Sequence, residues 1–237
     1  MGMIRTGSID YKRGGFHLSL DSFEIRRGEK VALLGENGSG KSTLMHLMVG
    51  VLGSADVYYM ENSIKSMGYA ERARILSFLP QIPEVSFPFT VFEVVRFGRF
   101  TDARKADAST ETSLKMADMY HLKDRPFSEL SGGEKRRAML ARVINQDTPV
   151  QFFDEPVSML DIRHSLSMLE LMIDSEKTVI TSIHDVNLAL EYFDRLMFLK
   201  DGKMLYDVSR ADVTAKMISE VFDVKVGTAA GRYSFYL

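Results

Sequence analysis

Apolar positions along the chain fall into two registers. "KVALLG" (Lys30 to Gly35), "PVQFFDE" from Pro149 and "KTVITSIHD" from Lys177 contain short apolar runs. Short apolar runs of this kind predict strands. "KSTLMHLMVGVL" from Lys41 instead repeats its apolar residues at helical spacing, as does the stretch after Gly133. "RLMFLKDGKMLYDV" from Arg195 reads as two strands joined at Asp201-Gly202, a hairpin signal. Between the first two strands lies the polar, helical-looking "TVFEVVRFGRFTDARKADASTETSLKMADMYHLKDRPF". Pro80, Pro83 and Pro88 punctuate its entrance and disfavour one continuous helix there. The pattern predicts an α/β core over 1–84 and 146–237, interrupted by a helical insertion over 85–145.

Composition narrows the class. The chain has 237 residues, 45% hydrophobic and 26% charged, enough for a sizeable core. Thirty basic against thirty-two acidic side chains leave a net charge of −2, so no global field invites nucleic acid, and none is expected as a partner. "EKRR" (Glu134 to Arg137) is the local basic feature, read as a solvated helix face. The absence of cysteine excludes disulfides and thiolate metal sites. No apolar h-region opens the sequence, and no run approaches the roughly 18 apolar residues of a membrane helix. The fifteen methionines show no ligand spacing and suit core packing.

Chemistry enters at "GENGSGKST". Gly35, Gly40, Lys41 and Ser42 match G-x-x-x-x-G-K-[ST], between a predicted strand and a predicted helix. Glycines let backbone N–H groups curl around phosphates, Lys41 reaches the β- and γ-phosphates, and Ser42 offers a hydroxyl to Mg²⁺. Chance would produce the pattern in about one chain in a hundred of this length. "VQFFDEP" places Asp154 and Glu155 at a strand end, where an Asp beside a phosphate loop holds Mg²⁺. Strand alternation sends Glu155 to the other face, where it can polarise an attacking water. A second anion site is written into "SELSGGEKRRAML": Ser131 and Glu134 have capping-box spacing, and Gly132 and Gly133 open the helix.

Together these residues resemble the ATP-binding cassette (ABC) ATPases, over about Ile9 to Tyr206. "GENGSGKST" is similar to the family's Walker A, "LSGGE" to its signature and "VQFFDEP" to its Walker B. "LPQ" at Leu79 to Gln81 is similar to the Q-loop, "SMLD" at Ser158 to Asp161 to the D-loop, and "TSIHD" around His184 to the switch-histidine segment. The resemblance implies an α/β P-loop NTPase of the ABC type: a RecA-like mixed sheet core, an N-terminal antiparallel β subdomain and an inserted α-helical subdomain. It implies ATP and Mg²⁺ as cofactors. Tyr11 would stack on adenine, and Gly35, Glu36, Asn37, Gly38, Ser39, Gly40, Lys41, Ser42 and Thr43 would cradle phosphate. Ser42, Gln81 and Asp154 would serve the metal, and Glu155, His184 and Gln81 the chemistry. Ser131, Gly132 and Gly133 would meet the nucleotide of a second copy in a head-to-tail, ATP-dependent dimer, with Asp161 shaping the interface. Val157 departs from the usual threonine after Walker B and bears on a local turn hydrogen bond. His17, His46, His121 and His164 are read as structural.

"PQIPEVSFPFTVFEVVRFGRF" resembles importer ATPases for iron-siderophore complexes, haem and vitamin B12, with Phe100 departing after Gly98-Arg99. The expectation is a peripheral motor subunit on the cytoplasmic face of the cell membrane. It would dock on an integral membrane permease and serve a substrate-binding protein indirectly. Phe87, Phe89 and Phe92 are permease-contact candidates. A soluble ATPase of iron–sulfur cluster assembly, or another non-transport role, is the alternative reading.

Overall fold

The computed structural model describes residues 2–53, 55–81, 88–100, 106–173, 176–229 and 232–236. They form two compact units, one of 1–67 with 178–237 and one of 68–177. Phe87, Pro83 and the boundary drawn at 84–85 lie outside the described residues.

The first unit starts with β1 (Gly2–Thr6), the hairpin β2 (Ile9–Arg13) and β3 (Phe16–Leu20), and β4 (Glu24–Arg26). β5 (Lys30–Leu34) leads through the glycine loop into α1 (Lys41–Met48), followed by β6 (Val57–Tyr59) and β7 (Asn62–Ser63). An antiparallel sheet runs β4-β1-β6-β7.

The second unit holds α2 (Tyr69–Ile75), β8 (Leu76–Leu79), α3 (Val91–Arg96), α4 (Ala106–Met116), α5 (Gly132–Gln146), β9 (Val150–Asp154) and α6 (Ile162–Ile173). It thus carries a strand pair besides its helices: β8 and β9 run parallel, with Leu76 opposite Val150 and Leu79 opposite Phe153. Because the pairing is parallel, Pro80-Gln81 and Asp154-Glu155 leave their strands at the same end. Helices α3, α4 and α5 bury Val91, Val94, Val95, Leu114, Met139 and Leu140. Buried Asn145 on α5 donates to the Val95 carbonyl (2.9 Å) and to Thr110 Oγ1 (3.0 Å), which ties the three helices by a polar link.

The chain returns to the first unit with β10 (Thr178–Ser182), α7 (Val186–Tyr192), β11 (Arg195–Lys200), β12 (Lys203–Ser209), α8 (Ala215–Phe222) and the hairpin β13 (Lys225–Ala229) and β14 (Arg232–Tyr236). Its mixed sheet runs β12-β11-β5-β10, with β5 parallel to both β10 and β11. Every residue of β5 and β10 is buried, and this two-sided burial is the reason their apolar runs are continuous. The Asp201-Gly202 turn has φ of +48° and +73°, both positive as a tight hairpin turn requires. Among the methionines, Met3, Met45, Met48, Met67, Met119, Met139, Met168, Met172 and Met197 are in the core.

Candidate nucleotide site

The glycine loop departs from the end of β5 and closes on the N-terminus of α1. Gly35 sits at φ +146°, and a Cβ there would run into the Leu199 carbonyl oxygen. The loop turns so tightly over β11 that no side chain fits. Helix α1 has Gly40 as its N-cap and no side-chain cap, so its first N–H groups face outward as an anion site. Ser39 adds a buried hydroxyl oxygen with no hydrogen-bond partner. A buried polar atom left unpaired inside a phosphate-loop motif fits a ligand with oxygens to share. Lys41 is buried, and its ammonium donates to the carbonyls of Gly35 (2.7 Å) and Glu36 (2.9 Å). Those bonds hold the lysine inside the loop. Ser42 and Thr43 are half-buried in the first turn of α1. His46 donates from Nδ1 to the Ser42 carbonyl (2.6 Å), a helix-internal bond that suits its structural reading.

His184 leaves β10 one residue after Ile183, whose N–H bonds the Leu33 carbonyl at 3.1 Å. Since β10 and β5 are parallel neighbours, His184 and the glycine loop emerge at the same edge of the first unit's sheet. His184 is exposed, and Asp185 caps α7 behind it by accepting from the N–H groups of Asn187 and Leu188. Tyr11 lies half-buried on β2, paired with Leu18 of β3. A Cβ on Gly40 would meet Leu18 Cδ1 at 2.8 Å and Phe16 Cζ at 3.0 Å, so Phe16 is an aromatic beside the loop that motif reading missed. Its position two strand residues before Leu18, on the same face, was the available signal.

In the second unit, Asp154 ends β9 with its side chain buried. Glu155 corrects one expectation. It does not follow strand alternation, because β9 stops at Asp154 and Glu155 turns left-handed at φ +50°. Its carbonyl accepts from the Ser158 backbone N–H (3.1 Å) and from Ser158 Oγ (2.9 Å). Beside Val157, the turn's side-chain hydrogen bond thus comes from Ser158. Gln81 is exposed where the chain leaves β8.

Ser131 caps α5 in a full capping box: its Oγ accepts from Glu134 N–H (3.3 Å), and its N–H donates to Glu134 Oε2 (2.7 Å). These bonds, the backbone one first, hold the Glu134 carboxyl below its ordinary range. Gly132 and Gly133 are not among the positive-φ residues. A Cβ on Gly132 would meet only Met159 Sδ, at an ordinary 3.6 Å. The described residues therefore do not demand glycine at 132. Gly132→Ala is expected to leave folding stability unchanged or raise it, by at most about 1 kcal/mol, since alanine favours helix over glycine. ATP-driven association of two copies should fall in the same variant; sedentation with and without ATP, by analytical ultracentrifugation, reads this out, and undiminished association would refute the role.

Asp161 caps α6, accepting from His164 N–H (2.9 Å) and facing His164 Nδ1 (2.7 Å); those bonds hold its carboxyl below the usual range. Ile162 beside it is 81% exposed, and Met159 is exposed as well. Arg136 supplies the second correction. It is not on a solvated face but 3% exposed, because 136, 139, 140 and 143 share the buried side of α5.

Taken singly, Ser42 of the first unit and Gln81 and Asp154 of the second each carry an oxygen of the hard kind that Mg²⁺ takes, alongside one or two carboxylates and water. Among the described residues no group of three or more His, Asp or Glu could form a denser metal cage.

A family model described as ABC transporter matches residues 18–158. The petrobactin import ATP-binding protein FpuC of Bacillus anthracis is 34% identical over 244 residues, spanning 97% of this chain and 90% of that protein. The hemin import ATP-binding protein HmuV of Vibrio parahaemolyticus is 38% identical over 208 residues, spanning 81% of this chain and 80% of its own length. Among solved structures, a metal-chelate type ABC transporter in an inward-facing conformation matches with TM-score 0.80 at 21% identity, covering 100% of this chain and 96% of that one. A dimeric ATP-binding cassette in a post-hydrolysis state, bound to ADP and phosphate, matches at 0.76 and 23% identity, covering 88% of this chain and 99% of that one. Identities this low establish the fold, and the family model with the two curated relatives establishes kinship: the chain belongs to the ABC transporter ATP-binding proteins, ATPases that couple hydrolysis to transport.

Proposed function

We propose that the chain is the motor subunit of an importer for an iron chelate, of the siderophore or haem class, and that it works as two copies on a separate membrane permease. The names of its curated relatives support the substrate class. The two-copy reading rests on one observation above others: an exposed, glycine-opened helix N-terminus at Ser131 to Gly133 that the fold itself does not require. Functionally the chain divides as its motifs do, into an ATP-binding core over 1–84 and 146–237 and a helical part over 85–145 that carries the signature.

ATP lies in the glycine loop of one copy, its adenine against Tyr11, its phosphates on the backbone from Gly35 to Thr43. Lys41 turns its ammonium from the loop carbonyls to the β- and γ-phosphates. Ser42, Asp154 and Gln81 would hold Mg²⁺, which neutralises charge developing on the transferred phosphoryl group. Glu155 accepts a proton from water as its oxygen attacks the γ-phosphorus in line, and the bond to ADP breaks with its electron pair leaving on ADP. His184 donates to the γ-phosphate, and Ser131 with the Gly132 and Gly133 N–H groups reaches it from the second copy. Two such sites are reciprocal about a two-fold axis, with Asp161 and exposed Met159 and Ile162 at that interface.

The permease would be met through the region after Gln81. Phe89 stacks edge-on against Phe97 (4.9 Å between centroids), Phe92 is half-buried beside it, and Phe97 and Phe100 remain exposed. Among the described residues no helix is long and apolar enough to cross a membrane. A peripheral place on the cytoplasmic membrane face follows from this reading, with a substrate-binding protein acting through the permease.

Mass spectrometry of what co-purifies with the tagged chain from gently solubilised native membranes tests it. A multi-span permease at comparable abundance is the expected result. Recovery only with soluble scaffold proteins would keep the ATPase and overturn transport.

A further inference from the structure

Every donor of the Arg136 guanidinium is spent on backbone. Nε donates to the Pro156 carbonyl (3.1 Å), one terminal nitrogen to Pro80 (2.6 Å) and Gln81 (2.9 Å), and the other to Asp154 and to Glu155 (2.6 Å). Burial pushes its pKa down to about 10, with the Asp154 and Glu155 carboxylates opposing that shift, so it is charged at neutral pH. A buried cation whose fork is filled by carbonyls rather than by a carboxylate is costly, and the acceptors it has chosen are informative. Two belong to the segment that presents Gln81; three belong to Asp154, Glu155 and Pro156. The side chain itself stands on α5, four residues past the exposed Gly132.

We infer that Arg136 is a positioning residue for hydrolysis: it locks the backbones of Gln81 and Glu155 together and to the helix that carries Ser131. The inference rests on the reading of Glu155 and Gln81 given above. Its physical basis is the left-handed turn at Glu155. An L residue at φ +50° is held there by its surroundings, and the Glu155 carbonyl is held by Arg136 from one side and Ser158 from the other. Gln81 is exposed where the chain leaves β8, and the same fork holds its carbonyl at 2.9 Å. A displacement of α5 that accompanies phosphate capture at its N-terminus is passed, without intermediate side chains, to both.

The proposal separates binding from turnover. The donors and acceptors of this fork all belong to the second unit and the glycine loop to the first, so ATP affinity is expected to stay while positioning is lost. In the full-length chain, Arg136→Lys keeps the charge but cannot span five acceptors from a single ammonium. It is expected to lower kcat by about 10- to 100-fold with KM and ATP affinity within about twofold, the signature of a misplaced reacting group. Arg136→Gln, which strands no charge in the interior, is the second variant should the lysine chain fail to fold, and kcat should fall at least as far. Adding either change to Glu155→Gln should cost little more, because the fork acts through Glu155. A folded variant with the parent's kcat, or one whose loss is all in KM, overturns the inference while leaving Glu155 in place. Undiminished hydrolysis by Glu155→Gln alone would instead overturn the site reading.

Discussion

Glu155→Gln is expected to bind ATP as the parent chain does and to lose steady-state hydrolysis by about two to four orders of magnitude, the worth of a placed general base. The amide is nearly isosteric with the carboxylate, so the left-handed backbone at φ +50° bears no added strain and the melting temperature should hold. Arg136 and Ser158 hold this turn through the Glu155 carbonyl oxygen, a main-chain atom that the change leaves in place. What vanishes is a group able to accept a proton from the attacking water. Because nucleotide still binds and the signature still meets it, the ATP-bound pair of copies should accumulate. Phosphate release and equilibrium ATP binding on the same preparation check this. Undiminished release would remove Glu155 from the chemistry.

Lys41→Ala should fail at the earlier step. The ammonium is the one buried cation inside the glycine loop, and hydrogen bonds to charged groups contribute about 1.5–3 kcal/mol each. ATP affinity is therefore expected to fall about 10- to 100-fold. Part of that loss comes before any ligand arrives: the carbonyls of Gly35 and Glu36 lose their ammonium donor, so the loop is less well prepared. Fluorescence titration with a labelled ATP analogue is the check, and an unchanged dissociation constant would sink the phosphate-loop assignment. The two variants thus divide the cycle, one stopping capture and the other stopping cleavage.

How much of this was legible in the sequence depended on whether the cause was local. The strands β5, β9 and β10 were readable because burial on both faces leaves a continuous apolar run. The Asp201-Gly202 hairpin and the Ser131–Glu134 box were readable because the geometry involves residues within a few positions of each other. Glu155 was misread for the opposite reason. Nothing in "VQFFDEP" tells where pairing stops, and the turn after Asp154 is held by Arg136 from eighteen to twenty positions earlier. Arg136 itself was hidden by its neighbours: between Lys135 and Arg137 it looks like one of three solvated charges. Helical periodicity alone puts it with Met139 and Leu140, and that test outweighs residue type when the interior offers carbonyls. The β13–β14 hairpin, in which Asn187 of α7 trades hydrogen bonds with the Tyr233 main chain (2.9 and 3.0 Å), had only a weak alternation in "RYSFY" to announce it.

The cap on α5 carries a lesson for anyone redesigning this chain. Aspartate and serine are near equals as helix N-caps, and a carboxylate at position 131 would also complement the helix dipole. An optimiser rewarding stability alone would accept either. Yet an ionised carboxylate has no proton to give and would set a negative charge against the incoming phosphate. On the proposed two-copy reading, the hydroxyl at 131 is a compromise invisible to folding energy, and a stability score for this position measures half of what would select it.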